Sequence, residues 1–337
     1  MTEETPAPPH AAILDLAMGS VLARALFAVT ELGIPDLLAD GPLAVGALTE
    51  KTGTTPDSLP RVLRALAAVG YFHTEGDRYT LTDLGRTLTS GHPTAARELV
   101  LSMLGPLFTN SLQRLSDTLR TGRTGADLAF GVPVFDYFGK HADEGASFNQ
   151  TMIAFHGTEP AAVAGAWDLP QVEHIVDVGG GVGTLLRAVL EQAPAARGTL
   201  FDRPDVIAQV NLGDLGERCR TEAGDFFTSV PRGGDVYLLS HIVHDWDDDA
   251  ARRILTNARE AIAEGGRVIL VEMVLPTGDQ DHPGKFLDLV MLSLTGGRER
   301  TEEQYRELLA SAGLDLVRVL STNSPVSIIE AAPTVGA

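Results

Sequence analysis

One histidine-containing segment of the chain combines residue types that could perform acid–base chemistry. The apolar run Val236–Leu239 predicts a buried strand. Polar side chains follow that run directly, namely Ser240, His241, His244 and Asp245. Histidine titrates near neutral pH and is the side chain most often used to take a proton from an alcohol or a phenol. His244 is therefore the candidate general base, whereas His241 is interpreted as a structural residue.

Two glutamates are candidate partners of His244. Glu272 lies near the end of the next predicted strand, Val268–Val271, and Glu299 precedes a predicted helix. A carboxylate bonded to one imidazole nitrogen fixes the tautomer and raises the basicity of the other nitrogen. We therefore expect both glutamates to orient His244. The alternative for Glu299 is an acid at a helix start that interacts with the helix dipole.

Metal binding is a second possibility at the same segment. His241 and His244 are three residues apart and could share one face of a helical turn, but no third ligand is evident nearby. We therefore predict no metal site. Cys219 is the only cysteine, which excludes an intramolecular disulfide and a cysteine-based zinc site.

The sharpest local motif is a glycine-rich loop, Asp177-Val-Gly-Gly-Gly-Val-Gly183, between a predicted strand and a predicted helix. Its glycines, Gly179 and Gly181 among them, let a ligand approach the backbone at a helix N-terminus. The dinucleotide fingerprint G-x-G-x-x-G is not met, because Thr184 stands where the third glycine belongs. The carboxylate of Asp177 would repel a pyrophosphate and would suit a cationic amino-acid ligand.

Two further acids follow successive predicted strands. Asp202 could accept hydrogen bonds from both hydroxyls of a ribose, and Asp225 could accept the amine of an adenine. Phe226 could pack on the adenine ring. The alternative for either acid alone is a loop carboxylate or a helix cap. Since the carboxyl ends of parallel strands meet at one edge of a sheet, the three sites predict one ligand crevice.

The first half of the chain is predicted to be helical, with one short hairpin. Apolar residues recur at three- and four-residue spacings between Ile13 and Leu32, which predicts an amphipathic or largely buried helix. A winged-helix pattern of two helices and a hairpin follows at Val45–Thr52, Ser58–Val69, Tyr71–Thr74 and Arg78–Leu81. Residues 13–38 contain more apolar side chains than one buried helix face requires. The remaining apolar side chains would form an exposed patch, which predicts a homodimer through this region.

From Val172 onward, strands and helices alternate, which predicts a parallel sheet covered on both faces. The predicted strands are His174–Val178, Thr199–Phe201, Cys219–Glu222, Val236–Leu239 and Val268–Val271. The predicted helices are Thr184–Gln192, Asp249–Ala263 and Glu302–Ala312. Two last strands, Leu316–Leu320 and Val326–Ile329, are joined by so short a turn that they must form an antiparallel hairpin.

Composition narrows the class of protein. The chain has 337 residues, enough for two domains, and its net charge of −19 disfavours a nucleic-acid partner. The segment Met1–Pro9 lacks the basic start and apolar core of a signal peptide, and no stretch is expected to reach the roughly 18 apolar residues of a membrane span. We therefore expect a cytoplasmic protein that binds neither nucleic acid nor a membrane.

Together these residues resemble the class I small-molecule O-methyltransferases of the caffeate, isoflavone and bacterial polyketide type, over nearly the whole chain. The segments that carry the resemblance are Asp177–Gly183, Phe201–Pro204, Gly224–Phe227, His244–Trp246, Leu270–Pro276, Gly296–Thr301, Val134–Tyr137 and Phe148–Met152. The resemblance implies S-adenosylmethionine as cofactor, released as S-adenosylhomocysteine. It also implies methyl transfer to a hydroxyl of a small aromatic or polyketide-type acceptor, with His244 as the base.

The resemblance also implies where the ligands bind. The residues expected to hold the cofactor are Asp177, Gly179, Gly181, Asp202, Arg203, Asp225, Phe226 and Ser240. The residues expected to contact the acceptor, in a pocket between two domains, are Phe148, Met152, Phe155, Asp245 and Met291. The alternative for Met152, Phe155 and Met291 is that they are plain core residues.

The implied fold is α/β. It has a Rossmann-like methyltransferase sheet with an antiparallel C-terminal hairpin, plus an N-terminal, mainly helical, winged-helix-like dimerisation domain. The expected boundaries are 1–95 for the dimerisation domain, 96–166 for a helical linker that lines the acceptor site, and 167–337 for the catalytic domain.

Two positions depart from plant members of the family, and three other functions stay open. Ser240 stands where plant enzymes often have lysine, and the loop between Met291 and Gly296 is shorter than theirs. One alternative is a family member with shifted chemistry, such as N- or C-methylation, hydroxylation or decarboxylation. The second is a winged-helix transcription regulator, which the acidic charge disfavours. The third is a NAD-dependent dehydrogenase, which the missing glycine fingerprint disfavours.

Overall fold

The computed structural model divides the chain into two compact units, each with its own hydrophobic core. It describes residues 8, 10–141, 144–145, 148, 151–152, 155–168 and 172–334. The first unit takes Met1–Asn110 and Phe138–Phe155, and the second takes Ser111–Tyr137 and His156–Ala337. The division of the chain into 1–95, 96–166 and 167–337 stays a prediction.

Helices dominate the first unit, as the sequence predicts. Its elements are α1 (His10–Glu31), α2 (Ile34–Leu37), β1 (Leu43–Ala44), α3 (Val45–Thr52), α4 (Leu59–Ala68), β2 (Phe72–Glu75), β3 (Arg78–Leu81), α5 (Asp83–Arg86) and α6 (Ala96–Met103). The predicted hairpin is present, and β1 adds a third antiparallel strand in the order β1-β3-β2. The core beside this sheet contains Leu48, Leu63, Leu66 and Phe72. Leucines at positions 59, 63 and 66 of α4 produce its buried face.

Helix α1 carries apolar side chains that nothing covers within the described chain. Ile13 is 70% exposed and Leu16 is 80% exposed, and Leu14, Met18 and Val21 are also exposed. Among the described residues, α1 is the one helix long and apolar enough to cross a membrane by length and composition. The expectation from the sequence that no stretch is long and apolar enough for a membrane span is therefore wrong. Only Asp15 and Arg24 are charged within residues 11–30.

Short helices follow α6 along the chain as far as β4. They are α7 (Pro106–Leu112), α8 (Leu115–Thr121), α9 (Gly125–Phe130), α10 (Val134–Lys140) and α11 (Glu159–Ala166). The hydroxyl of Thr124 caps α9 by accepting the N–H of Asp127 at 3.0 Å.

A seven-stranded sheet organises the described part of the second unit. Its strands are β4 (His174–Val178), β5 (Arg197–Asp202), β6 (Cys219–Ala223), β7 (Val236–Ser240), β8 (Arg267–Glu272), β11 (Leu314–Ser321) and β12 (Ser327–Pro333), in the order β11-β12-β8-β7-β4-β5-β6. Strands β4 to β8 pair in parallel, whereas β12 pairs antiparallel with both β8 and β11. The predicted fold class and C-terminal hairpin are therefore confirmed. The strand order reverses between β4 and β7, where ligands of such sheets bind.

The remaining elements cover and fasten this sheet. The helices are α12 (Thr184–Gln192), α13 (Pro204–Ile207), α14 (Asp248–Ala261), α15 (Pro283–Leu294) and α16 (Glu302–Ser311), with 3₁₀ turns at Gly213–Leu215 and Val243–Asp245. A short parallel pair, β9 (Val274–Leu275) with β10 (Arg300–Thr301), was not predicted from the sequence. Because Val274 faces Arg300, this pair brings the chain around Glu272 close to the chain around Glu299.

Candidate active site

The candidate base His244 lies in the 3₁₀ turn that follows β7, and its side chain is buried. Strands β7 and β8 pair in parallel with Ser240 opposite Val271. Glu272, the next residue of β8, therefore lies beside the segment that leads from β7 into the turn. Oε1 of Glu272 accepts the backbone N–H of Val243 at 2.9 Å. The same glutamate therefore fixes the backbone that carries His244.

Two carboxylates converge on one nitrogen of the His244 ring. Oε1 of Glu299 lies 2.7 Å from Nδ1, and Oε2 of Glu272 lies 3.5 Å from the same atom. An ionised carboxylate can only accept, so Nδ1 carries a proton, and in the neutral form of the ring Nε2 keeps its lone pair. The Oδ1 atom of Asp245 lies 3.9 Å from Nε2. The arrangement suits an imidazole that accepts a proton at Nε2.

The charges around His244 make it strongly basic. Burial disfavours its protonated form, but the charges of Glu272, Asp245 and Glu299 and the hydrogen bond to Glu299 outweigh that and raise its pKa to about 10. Burial raises the pKa of Glu272 to about 7, although the positive charge of His244 opposes that rise. Burial likewise raises the pKa of Asp245 to about 6.

Glu299 is held toward His244 from the side of α15. Its backbone N–H donates to Oδ1 of Asp288 at 2.8 Å. The N-terminus of α16 has its own capping box, in which the side chains of Thr301 and Gln304 each accept a backbone N–H of the other. The geometry therefore favours the predicted contact between Glu299 and His244 over the helix-start alternative.

Arg300 supports the same turn, a role that was not predicted from the sequence. Its guanidinium is 1% exposed and donates to the backbone carbonyls of Val243 and Trp246, at 3.2 and 3.1 Å. It also donates to Oδ1 of Asp248 at 2.7 Å. Arginine donates through a rigid planar fork, so these bonds fix both ends of the turn that carries His244. The signal available in the sequence was its position directly after Glu299.

His241 belongs to a second buried cluster that the sequence did not reveal. Its Nε2 lies 2.7 Å from Oε2 of Glu159, and Nδ1 of His156 lies 2.8 Å from the same oxygen. Burial lowers the pKa of His241 to about 3. Burial favours protonation of Glu159, but the bonds and charges of both histidines outweigh it and lower that pKa to about 2. The available signal was the three-residue spacing of His156 and Glu159.

The glycine loop requires glycine at defined positions. Gly179 and Gly181 have φ of 69° and 60°, the left-handed region that favours glycine. A Cβ on Gly179 would lie 2.4 Å from Cδ1 of Ile242, and one on Gly180 would lie 2.4 Å from Oδ2 of Asp177. Neighbouring side chains therefore exclude a Cβ at Gly179 and Gly180, and the backbone conformation favours glycine at Gly179 and Gly181.

Asp177 is the buried acid of this loop. Its side chain is 1% exposed, and neither carboxylate oxygen accepts a hydrogen bond of normal geometry from the residues that the structure describes. Burial and the charge of Asp202 raise its pKa to about 7, against the backbone N–H of Leu186, which lowers it. A cationic ligand group beside this carboxylate would offset the cost of its burial.

Asp202 lies at the end of β5, as predicted. Its Oδ2 accepts the N–H of Gly181 at 2.8 Å, which ties β5 to the glycine loop, and its Oδ1 accepts the N–H of Arg203 at 2.7 Å. Each carboxylate oxygen has a further lone pair for a ligand hydroxyl. The side chain of Arg203 binds Asp205 at 2.7 Å.

Asp225 and Phe226 follow β6. Asp225 is exposed, and its two carboxylate oxygens accept the N–H of Phe227 at 2.9 Å and the hydroxyl of Thr228 at 3.2 Å, so it closes its own turn. The ring of Phe226 is half-buried and edge-on to Trp246, with centroids 6.1 Å apart. Ser240, at the end of β7, is also half-buried.

The predicted acceptor contacts divide between the two units. Met291 is buried in α15 of the second unit, and Asp245 follows His244. In the first unit, Phe148 stacks on Phe138 with centroids 4.7 Å apart, Met152 is half-buried, and Phe155 is 38% exposed. Residues 149–150 of the predicted substrate helix lie outside the described residues.

Comparisons with known proteins identify the family of the chain, although one similar protein, from Streptomyces davaonensis and 33% identical, is an 8-amino-8-demethylriboflavin N,N-dimethyltransferase. The family model for the O-methyltransferase domain matches residues 112–315, and that for the O-methyltransferase dimerisation domain matches residues 14–91. The phenazine O-methyltransferase of Lysobacter antibioticus is 38% identical over 344 residues, 99% of this chain and 100% of its own.

Solved structures extend this likeness to three dimensions. The mitomycin 7-O-methyltransferase has a TM-score of 0.91 at 33% identity, covering 96% of this chain and 98% of its own. An O-methyltransferase from neocarzinostatin biosynthesis, crystallised with S-adenosylmethionine and 2-hydroxy-5-methyl naphthoic acid, has a TM-score of 0.82 at 31% identity, covering 92% and 95%.

Proposed function

Since this chain belongs to the O-methyltransferase family and its cofactor is S-adenosylmethionine, we propose that it methylates a hydroxyl of a small aromatic or polyketide-type molecule, with His244 taking the hydroxyl proton. The observation that carries the proposal is the pair of carboxylates, Glu299 and Glu272, on Nδ1 of a buried histidine. The dehydrogenase and transcription-regulator alternatives gain no support from these matches. The intact His244–Glu272–Glu299 cluster favours O-methylation over the shifted chemistries.

The residues present fit the cofactor. We propose that the glycine loop receives its amino-acid end, where the buried carboxylate of Asp177 accepts no hydrogen bond of normal geometry from the described residues. Asp202 offers two lone pairs to the ribose hydroxyls. Asp225 and Phe226 lie at the next strand end for the adenine. We assign Arg203 and Ser240 to the same site because each lies at or directly after the end of a strand beside the glycine loop.

Bound S-adenosylmethionine supplies a methyl group on a positively charged sulfur, which needs no further activation. The chain must hold the acceptor oxygen in line and remove its proton. Nε2 of His244 takes that proton. The hydrogen bond from Nδ1 to Glu299 holds the ring, and Glu272 stabilises the resulting positive charge. Asp245, 3.9 Å from Nε2, borders the path of the proton.

The basicity of His244 matches a phenol. A phenolic hydroxyl has a pKa of about 10, and the pKa of His244 is raised to about 10. Because the acidic surroundings of His244 raise its pKa, a phenol, which is more acidic than an aliphatic alcohol, can pass its proton to Nε2 without a metal ion. We therefore propose a phenolic acceptor, with Met291 in contact with its rings. Phe148, Met152 and Phe155 stay predicted acceptor contacts.

We further propose that the protein is a homodimer formed through its N-terminal region. The matched dimerisation model spans residues 14–91, and α1 within it exposes Ile13, Leu16 and their apolar neighbours. A second copy of the chain would cover these side chains. A cytoplasmic location stays a prediction.

The function is tested by incubating the protein with cofactor carrying a labelled methyl group and a panel of hydroxylated aromatics. We expect label on a hydroxyl oxygen of at least one phenol. S-adenosylhomocysteine should also bind in calorimetry and be displaced by S-adenosylmethionine but not by NAD. Tight binding of NAD, or transfer of label to nitrogen or carbon alone, would overturn the proposal.

A further inference from the structure

We propose that His156, Glu159 and His241 form a binding site for a divalent transition-metal ion of the Zn²⁺ type, beside the catalytic cluster. None of these three residues takes part in the proton transfer derived above. The ring of His241 nevertheless lies next to that of His244, with centroids 5.1 Å apart. Occupation of the site would place an ion close to the base.

The three donor groups already converge on one point. Nδ1 of His156 lies 2.8 Å from Oε2 of Glu159, and Nε2 of His241 lies 2.7 Å from that same oxygen. One donor atom of each residue lies within 4.8 Å of the others. In a tetrahedral zinc site, with metal–ligand distances of about 2.0–2.2 Å, donors are roughly 3.4 Å apart. The two pairs that include Oε2 of Glu159 would therefore separate by about 0.6–0.7 Å to admit an ion.

The backbone brings these donors together from distant parts of the chain. Glu159 opens α11 and His156 precedes it by three residues, so both side chains lie on one side of the helix start. His241 comes from the end of β7 with φ of 53°, a left-handed conformation that costs free energy for a residue other than glycine. That conformation directs its ring to Glu159, 82 residues away in sequence.

The chemistry of the set selects the kind of ion. Two imidazoles and one carboxylate are ligands typical of zinc sites that keep a fourth position open. Glu159 is 7% exposed and His241 is 11% exposed, so a bound ion would be shielded from water. His156 is 21% exposed and provides access from solvent. Hard ions such as Mg²⁺ prefer oxygen ligands and are expected to bind poorly.

The experiment titrates the untagged, full-length, cofactor-free protein with Zn²⁺ in a calorimeter and with Co²⁺ by visible absorption. We expect one ion per chain, with the intense visible bands of a four- or five-coordinate Co²⁺. His156→Ala and Glu159→Gln should each weaken binding by at least about tenfold. His73→Ala, which removes an exposed histidine of β2, is the matched control and should leave affinity unchanged. Glu159→Gln keeps the shape of the side chain, so it serves if His156→Ala fails to fold.

Three results would overturn the site. The first is the absence of saturable binding of either ion. The second is binding that survives His156→Ala and Glu159→Gln but disappears in Glu272→Gln, since the ion would then lie with His244. The third is an equal loss of affinity in His73→Ala. Because the titration measures binding without turnover, its outcome is independent of the proposed methyl transfer.

Discussion

At His244, two buried acids act on the same ring nitrogen but in different ways. Glu299 makes the short bond to Nδ1, at 2.7 Å, whereas Glu272 is farther from the ring and also holds the backbone of the turn. Both charges stabilise the imidazolium, so the pKa of His244 rises. A protonated His244 cannot accept another proton, so the rate of methyl transfer should rise as pH passes upward through this pKa.

The first prediction concerns Glu299→Gln. The amide keeps the shape of the side chain but removes one negative charge, so the pKa of His244 should fall. The rising limb of the kcat/KM profile should move to lower pH by about 1–2 units, and the maximal rate should also fall. Glu303→Gln, at an exposed position on α16, is the control and should leave the profile in place. If the rising limb of the Glu299→Gln profile lies at the same pH as in the wild type, the group that titrates is not His244.

The second prediction concerns Asp177 and stability. Its pKa is raised from 3.8 to about 7 in the folded chain, so the folded state binds this proton more tightly than the unfolded state. The contribution of Asp177 to stability is therefore fully present below about pH 4 and is lost as pH rises toward 7. Asp177→Asn carries no charge and should melt about 4 °C or more above the wild type at pH 8. The difference should shrink toward pH 4.

The same substitution should weaken binding of S-adenosylhomocysteine, because the counter-charge for its ammonium group is gone. Asp279→Asn, in an exposed loop, is the control for both measurements. If Asp177→Asn melts below the wild type at both pH values, the carboxylate has a structural partner and the cofactor assignment of this residue fails.

At the scale of elements, the turn after β7 depends on Arg300. The guanidinium binds the carbonyls on both sides of His244 and the side chain of Asp248 at the start of α14. Lysine keeps the charge but lacks the planar fork, so it cannot hold both carbonyls at once. Arg300 is therefore a positioning residue, which acts on the reaction only through His244.

The third prediction is that Arg300→Lys lowers kcat by about 10- to 100-fold while the affinity for S-adenosylhomocysteine stays unchanged. Its pH profile should also broaden or shift, because His244 is no longer fixed against Glu299. Arg252→Lys, on the exposed side of α14, is the control. If cofactor affinity and melting temperature fall together with kcat, Arg300 is needed only for folding and is not a positioning residue.

The elements that could be predicted from the sequence are those with a local signal. Strand β4 and helix α12 begin and end where predicted, because a buried apolar run and a glycine loop define them. The pairing of β9 with β10 was not predictable, since each strand has two residues and the partners are 26 residues apart. Glu159 contacts His241 from 82 residues away and Arg300 binds Val243 from 57 residues away, so their local signals did not reveal these partners.

At the scale of the whole molecule, α1 is where sequence reasoning partly failed. Its periodicity predicted a helix, but not that it would be apolar enough to pass for a membrane span. A helix at a subunit interface can be as apolar as a membrane-spanning helix, because the partner subunit covers its apolar side chains in the way that lipid covers those of a span. The matched dimerisation model favours the interface.

The fourth prediction is that Leu16→Glu shifts the protein from dimer to monomer at micromolar concentration, measured by light scattering. Leu16 is 80% exposed in the single chain, so a glutamate there should not disturb its folding, but it would bury a charge in a dimer. Leu119→Glu, on α8 of the second unit and 71% exposed, is the control and should stay dimeric. A wild-type protein that is already monomeric would contradict the proposed assembly.

The dependence of turnover on His244, compared for two phenols of different acidity, tests whether this residue takes the proton of the acceptor. With a phenol of high pKa, His244→Gln should lower kcat by about 10²- to 10⁴-fold, with affinity for S-adenosylhomocysteine nearly unchanged. With a phenol acidic enough to arrive ionised, the loss should be small. Near-normal turnover of the high-pKa phenol by His244→Gln would contradict the assignment of His244 as the base, because it would show that no proton needs to pass to this residue.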